Sequence, residues 1–232
     1  MGAVARDGDP SNLIQVTLAK GWTIRATRPP PPRPYRVTGR TMRITVIGAG
    51  VAGLTSALVL AERGCAVEVL ERGPALGAAS CSRWAGGMLA PWCERESAEE
   101  LVVELGQEAL AWWPEHHDGT VRRGSLVVAQ RRDEPELERF AKRTRGFERL
   151  DAERLAALEP DLAGRFATGL YFAEEAHLDP RAALRSLAHR LEALGGRIRF
   201  GVDADPGAIP GVVVDCRGLA ARDRLSDLRC VK

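Results

Sequence analysis

The stretch Met42–Arg72, MRITVIGAGVAGLTSALVLAERGCAVEVLER, decides how this chain folds. Ile44 to Ile47 form a short apolar run, bounded by glycine, that fits a buried parallel strand. Gly48-Ala49-Gly50-Val51-Ala52-Gly53 follows as a G-x-G-x-x-G pattern. A small-residue, Leu/Val-rich helix runs to Glu62-Arg63 and stops at Gly64, and a second apolar run, Ala66 to Leu70, ends on Glu71. Strand, triplet, helix, strand and terminal acid together predict a βαβ unit with a dinucleotide site built in. Gly48 turns the chain off the strand, Gly50 lets backbone approach a pyrophosphate, and Gly53 lets helix and strand pack closely. The helix start offers free N–H groups and a partial positive charge to phosphates. Glu71, eighteen residues after Gly53, falls where a carboxylate accepts the ribose hydroxyls. A plain βαβ unit explains neither the triplet nor the acid.

The totals describe an ordinary globular protein, long enough for one domain or two small ones: 232 residues, 45% hydrophobic, 28% charged. Net charge is +2, but residues 1–41 hold seven Lys/Arg against two Asp, which leaves the other 191 residues at −3. A slightly acidic body argues against a nucleic-acid partner. Five cysteines, an odd number with no C-x-x-C, indicate neither a disulfide framework nor a zinc site and fit a reducing compartment. No apolar run reaches spanning length and no signal peptide opens the chain, so no membrane partner and a cytoplasmic location are expected.

Residues 1–41 read as a disordered Pro/Arg-rich leader preceding a true start at Met42, with Pro29–Pro32 and Pro34 in a polyproline II run that suits a linker better than an SH3-like docking segment. After Arg72, the small-residue stretch Gly77–Gly87 is expected to pass close to a bulky ligand. Trp84, Trp92 and Met88-Leu89 suggest that this loop is buried against a flat ring. Ser97 to Trp113 reads as a helix with a Ser97/Glu100 capping box, a core face of Leu101, Leu105, Ala109 and Trp112, and a stop at Pro114. His116-His117 cannot converge on one metal and read as surface residues. Gly124–Ala129 and Gly169–Phe172 read as strands, and Glu134–Arg145 and Asp151–Glu159 as helices. Glu174 and Glu175, adjacent on an extended segment, read as solvated. Asp179-Pro180 starts a helix with Leu184, Leu187, Ala188, Leu191 and Leu194 as its buried stripe. Strands at Ile198–Val202 and Gly211–Asp215 then return the chain to the first sheet.

Four segments carry a family resemblance: VIGAGVAG with its terminal ERG, SRWAGGMLAP followed by Glu94, GLYFAEEAHLDPRAAL, and VVVDCRGLAARDRLSDL. With these the chain resembles the FAD-dependent D-amino-acid oxidase superfamily, and within it the bacterial glycine oxidases of the thiamine thiazole pathway. The resemblance implies an α/β fold, with a Rossmann-type FAD-binding domain over 42–96 and 176–232 and a partial α+β substrate domain over 97–175. It implies that Gly48, Gly50, Val51, Ala52 and Gly53 cradle the FAD pyrophosphate and that Glu71, with Arg72 beside it, holds the ribose. Cys81 and Ser82 would fall near the phosphates, Gly86, Gly87 and Met88 would line the isoalloxazine, and Val202 would offer backbone to adenine. The implied reaction takes a small amino acid and oxygen. Hydride passes from the substrate Cα to the flavin, oxygen reoxidises the flavin to give hydrogen peroxide, and the imine feeds thiazole formation. A homo-oligomer is compatible with this reading.

Family members continue well beyond the point matching Lys232, and the remainder brings the arginine that pairs with the substrate carboxylate. The sequence therefore predicts a fragment with no assignable catalytic residue. Two alternatives stand beside an active oxidase: an inactive FAD-binding remnant, and another member such as a D-amino-acid dehydrogenase.

Overall fold

The computed structural model describes residues 36–37 and 40–221. The leader, with its proline run, lies outside the described residues except for its last few. In chain order the elements are a short antiparallel hairpin, β1 (Arg36–Val37) with β2 (Arg40–Thr41); β3 (Arg43–Ile47), α1 (Val51–Glu62) and β4 (Ala66–Glu71); β5 (Met88–Leu89), α2 (Pro91–Glu94) and α3 (Glu100–His116). There follow β6 (Ser125–Val128), α4 (Glu134–Arg143), β7 (Glu148–Asp151), α5 (Ala152–Leu158), β8 (Thr168–Phe172) and β9 (Ala176–His177), then α6 (Pro180–Ala193), β10 (Arg197–Phe200) and β11 (Val212–Asp215). The chain divides into two compact units. One takes the described residues up to Gly87, Glu115–Gly119, and the chain from Leu178; the other takes Met88–Pro114 and Thr120–His177.

The first unit is built on a parallel sheet in the order β10-β4-β3-β11. The register sets Ile47 beside Leu70 and beside Asp215, and Phe200 beside Glu71, so four strands end together at one edge. Val46 and Val69 are fully buried, as parallel strands covered by helices require. Helix α1 buries Gly53, Leu54, Ala57 and Leu58, one face at helical spacing, and packs against α6. Helix α6 starts as expected: Pro180 occupies the first turn and the Asp179 carboxylate accepts the N–H groups of Arg181 and Ala182 at 2.7 and 2.9 Å. Its stripe is Ala183, Leu184, Leu187, Ala188 and Leu191; Leu194 lies past the helix end and is exposed.

The second unit carries the antiparallel sheet β6-β8-β7. Leu137 and Ala141 of α4 bury against Leu170 and Phe172 of β8, with the Phe140 and Phe147 rings edge-on to Phe172 at 6.2 and 5.6 Å. The strand β7 has no alternation in its sequence, ERLD, to announce it. Pairing with β8 makes it extended, and the Asp151 side chain then caps α5 through the Arg154 N–H.

Helix α3 departs from expectation in three ways. It begins at Glu100 rather than Ser97. Its buried face is Val103, Leu110 and Trp113, with Gly106 set against Pro91, whereas Leu101 and Leu105 are exposed. The helix is therefore turned by one residue, about 100°, from the predicted face. A Cβ on Gly106 would lie 2.7 Å from the Pro91 ring, so the close approach that orients α3 needs the smallest residue rather than the most apolar stripe. Third, Pro114 does not stop α3. The carbonyl that Pro114 leaves without a helical donor belongs to Leu110, and the Arg122 guanidinium donates to it at 2.6 Å. Arg122→Ala is expected to cost about 1–2 kcal/mol of stability, seen as a lower urea midpoint.

Candidate functional site

The candidate site lies at the carboxyl edge of the parallel sheet, where the ends of β3, β4, β10 and β11 gather. Four backbone bonds tie their loops together: Gly48 N–H to the Leu70 carbonyl at 2.8 Å, Cys216 N–H to Ile47 at 2.8 Å, Val202 N–H to Glu71 at 2.9 Å, and Gly201 N–H to Gly73 at 2.9 Å. Gly48 has φ +101°, and a Cβ there would lie 2.7 Å from the Cys216 carbonyl. A Cβ on Gly53 would lie 1.8 Å from the Gly48 carbonyl. The first and third glycines of the triplet thus hold the turn closed on itself.

The opening left by that turn suits an anion. The N-cap of α1, Gly50, has no side chain to offer, the first turn holds no acid, and Val51 and Ala52 are exposed. The Val51 N–H donates to the Ser82 hydroxyl at 3.0 Å. A Cβ on Gly50 would meet the Ser80 hydroxyl at 2.9 Å and that of Ser82 at 3.2 Å. Ser80 also takes the Ser82 N–H at 3.2 Å. Ser80 was missed in the sequence; the hydroxyl-rich run was visible there, but not which side chains face Gly50. Cys81, between the two serines, is exposed.

Glu71 is buried at the same mouth. One carboxylate oxygen accepts the Ala49 N–H at 2.7 Å and the other the Gly73 N–H at 2.7 Å. An ionised carboxylate has about four acceptor positions, so two remain for hydroxyl donors. Arg72 is exposed and Val202 is half-buried beside Glu71 through its backbone bond. Asp215 and Arg217 also stand at this edge, unassigned in the sequence. Their bidentate pair at 2.9 and 2.7 Å holds the Asp215 carboxyl below its usual range, chiefly through the Arg217 hydrogen bonds.

In the loop beyond Ser82, Trp84 is 73% exposed and Met88 62%, whereas Leu89 and Trp92 are half-buried. Gly86 is open on its side-chain side, and Gly87, at φ +73°, lets the Leu178 N–H reach its carbonyl at 2.9 Å.

Two other polar groups differ from expectation. Glu175 is fully buried rather than solvated: its carboxylate accepts the Cys93 N–H at 2.8 Å and the Cys93 thiol at 3.2 Å, which makes it a cap for α2 brought from 82 residues away. Burial first, then the Glu175 hydrogen bond, pushes the Cys93 thiol far up. His116 and His117 are buried rather than on the surface, His116 near Glu62 at 3.2 Å and His117 on the Ser186 hydroxyl at 2.9 Å. Burial lowers the His117 pKa, with Arg185 and Arg190 adding to the effect and Asp118 and Asp179 opposing it. A His with a lowered folded value contributes full stability above its unfolded pKa of about 6.5 and loses it as pH falls through that value. The thermal midpoint is therefore expected to drop below that pH by more in the unaltered chain than in His117→Gln.

Among the described residues no cluster of His, Cys, Asp and Glu could hold a metal, and no helix is long and apolar enough to cross a membrane.

Residues 43–229 match the family described as FAD dependent oxidoreductase (DAO). The chain belongs to that family. It is 54% identical over 192 residues to a Rhizobium etli protein named as a thiamine biosynthesis oxidoreductase, ThiO, covering 82% of this chain and 58% of the relative. It is 34% identical over 194 residues to a D-amino-acid oxidase of Streptomyces coelicolor, covering 81% and 56%. The crystal structure of glycine oxidase from Geobacillus kaustophilus shares the fold, with a TM-score of 0.64 at 21% identity over 78% of this chain and 57% of that one. The chain thus spans little more than half the length of these relatives. The cofactor of this family is FAD, which carries an anionic diphosphate and a ribose with hydroxyl donors, the chemistry that the start of α1 and the remaining Glu71 acceptor positions suit.

Proposed function

We propose that this chain binds FAD through the Gly48–Gly53 turn and Glu71, and that the protein oxidises the amine of a small amino acid in the manner of a glycine oxidase. The unit with the parallel sheet holds the cofactor, and the antiparallel unit belongs to the substrate side. The observation that carries the reading is the Glu71 carboxylate bound to the Ala49 amide at the open end of α1. Gly48, Gly50, Val51, Ala52 and Gly53, with the Ser80 and Ser82 hydroxyls, hold the diphosphate. Cys81, exposed between the two serines, stands near the phosphates with Ser82, and Gly86, Gly87 and Met88 line the flavin ring.

When bound, FAD would supply the two-electron acceptor for oxidation of the substrate amine to an imine, with oxygen as the final acceptor reduced to hydrogen peroxide. The chain's own residues position the dinucleotide and close one of its sides to water. The likeness to the Rhizobium etli relative supports a role in thiamine biosynthesis, to which the imine would contribute as a precursor of the thiazole.

The test is a visible spectrum of the purified chain and of Glu71→Ala after incubation with FAD. Flavin bands at protein stoichiometry are expected, with affinity falling about tenfold to a hundredfold in the variant, since two charged hydrogen bonds organise the loop. A colourless chain with no affinity for FAD refutes the reading. Peroxide release with glycine, sarcosine or D-alanine then separates an active oxidase from an FAD-binding portion without turnover. A dehydrogenase would instead reduce an artificial acceptor and release no peroxide.

A further inference from the structure

An ion pair at the carboxyl edge of the parallel sheet encloses the residue against which the dinucleotide turn is packed. Asp215 ends β11 in register with Ile47 of β3. Its carboxylate draws the next two residues into a tight loop: Oδ1 accepts the Arg217 N–H at 3.2 Å and Nε at 2.9 Å, and Oδ2 accepts Nη2 at 2.7 Å. Asp205 and Asp203, on the loop after β10, add their charge to the hold on Arg217. The enclosed residue is Cys216, and each of its groups meets β3, the turn or α1. Its N–H donates to the Ile47 carbonyl at 2.8 Å. Its carbonyl oxygen lies 2.7 Å from where a Cβ on Gly48 would stand. Its Cβ lies 3.4 Å from where one on Gly53 would stand, and its thiol is hydrogen-bonded with Ser56 of α1.

Cys216 is thus a wedge between β11 and the first and third glycines of the triplet, and its backbone is fixed from either side by Asp215 and Arg217. A guanidinium–carboxylate pair with two bonds is directional: a planar fork meets a planar carboxylate in one arrangement, which an ammonium does not reproduce. The Arg217 and Asp215 side chains are 11% and 28% exposed, at the rim of the sheet, so the pair adds little to folding stability. Its effect falls instead on the short loop that packs against Gly48. We propose that the Asp215–Arg217 pair is a positioning device for the dinucleotide turn: it holds Cys216 against Gly48 and Gly53 and so keeps the turn in the shape that takes a diphosphate, an inference that rests on the FAD-binding function proposed above.

The test measures cofactor affinity and backbone protection separately in the parent, Asp215→Ala, Arg217→Met, their double variant and Arg217→Lys. FAD affinity, read from flavin fluorescence on titration with the chain, is expected to fall about tenfold in each single variant and no further in the double, since the two side chains act as a unit. Arg217→Lys keeps the charge without the fork and is expected to follow Arg217→Met. Melting midpoints without cofactor should stay within about 2 °C of the parent. Hydrogen exchange without cofactor reads the turn itself: amides of residues 48–54 exchange faster in the variants, while those of α6 in the same unit do not change. Undiminished FAD affinity in the single variants overturns the proposal, as does unaltered exchange at the turn. So does full affinity in Arg217→Lys, a loss of about a hundredfold in the double variant, or an affinity that falls only in step with the melting midpoint. If the parent itself takes up no FAD, the proposed function fails and exchange alone decides: faster exchange confined to the turn upholds the positioning role, and unaltered exchange overturns it. If a variant fails to fold by circular dichroism, Asp215→Asn, which keeps the size and an acceptor for the Arg217 N–H, is measured in its place against the same outcomes.

Discussion

Gly53→Ala yields a chain that does not retain FAD and unfolds far more readily than the parent. The new methyl would be placed 1.8 Å from the Gly48 carbonyl, about half of a normal contact, so α1 must move off β3. Neither side can yield easily. The Gly48 carbonyl belongs to a turn at φ +101° that is itself packed on the Cys216 carbonyl, and α1 is held by fully buried Leu54, Ala57 and Leu58. Overpacking on this scale costs about 3 kcal/mol or more. The displaced helix start also breaks up the Gly48–Gly53 turn and the Val51–Ser82 hydrogen bond, so on the proposed function the cofactor is expected to be lost as well. Thermal melts and flavin absorbance read the two effects. Gly207→Ala is the control, because a Cβ there would meet only the Asp205 carboxylate at 3.7 Å and should leave the midpoint unchanged. Equal melting and equal flavin content in Gly53→Ala and the parent would refute this account of the turn.

The second large effect is expected at Glu175. Glu175→Ala removes the acceptor of two Cys93 donors from a site without solvent access. The cost is about 2–4 kcal/mol, combining a lost charged hydrogen bond with an amide left unpaired in the interior. Glu175→Gln retains one carbonyl acceptor and should fall between. A second readout is local. Burial first and Glu175 second hold the Cys93 thiol protonated, so it should resist alkylation in the parent and be labelled faster in Glu175→Ala, where only the burial remains. Mass-spectrometric mapping of the alkylated peptide distinguishes it from the exposed Cys81. Unchanged labelling at Cys93 together with unchanged urea stability would show that the carboxylate does not hold α2.

How much could be read beforehand differs between the two units. In the first, the order of strand, turn, helix and strand, the acid ending β4, the capping of α6 by Asp179 and the return of the chain to the sheet were all legible. Each follows from residues close in sequence: glycine where φ is positive, an aspartate before proline, runs of apolar residues at period two or 3.6. In the second unit, strands β6 and β8 and helix α4 were legible for the same reason, while β7, with the sequence ERLD, was not.

The amino-acid sequence by itself determined the local conformations of the dinucleotide turn and the place of Glu71 at its mouth, because both depend on backbone sterics and on a spacing of only eighteen residues. The tertiary structure alone decided the rest. It set which face of α3 is buried, through Gly106 against Pro91; it made Glu175 a helix cap and His116 and His117 interior residues; and it left Trp84 in the open. These outcomes rest on contacts between residues far apart in the chain, and neither periodicity nor composition encodes which surfaces will meet.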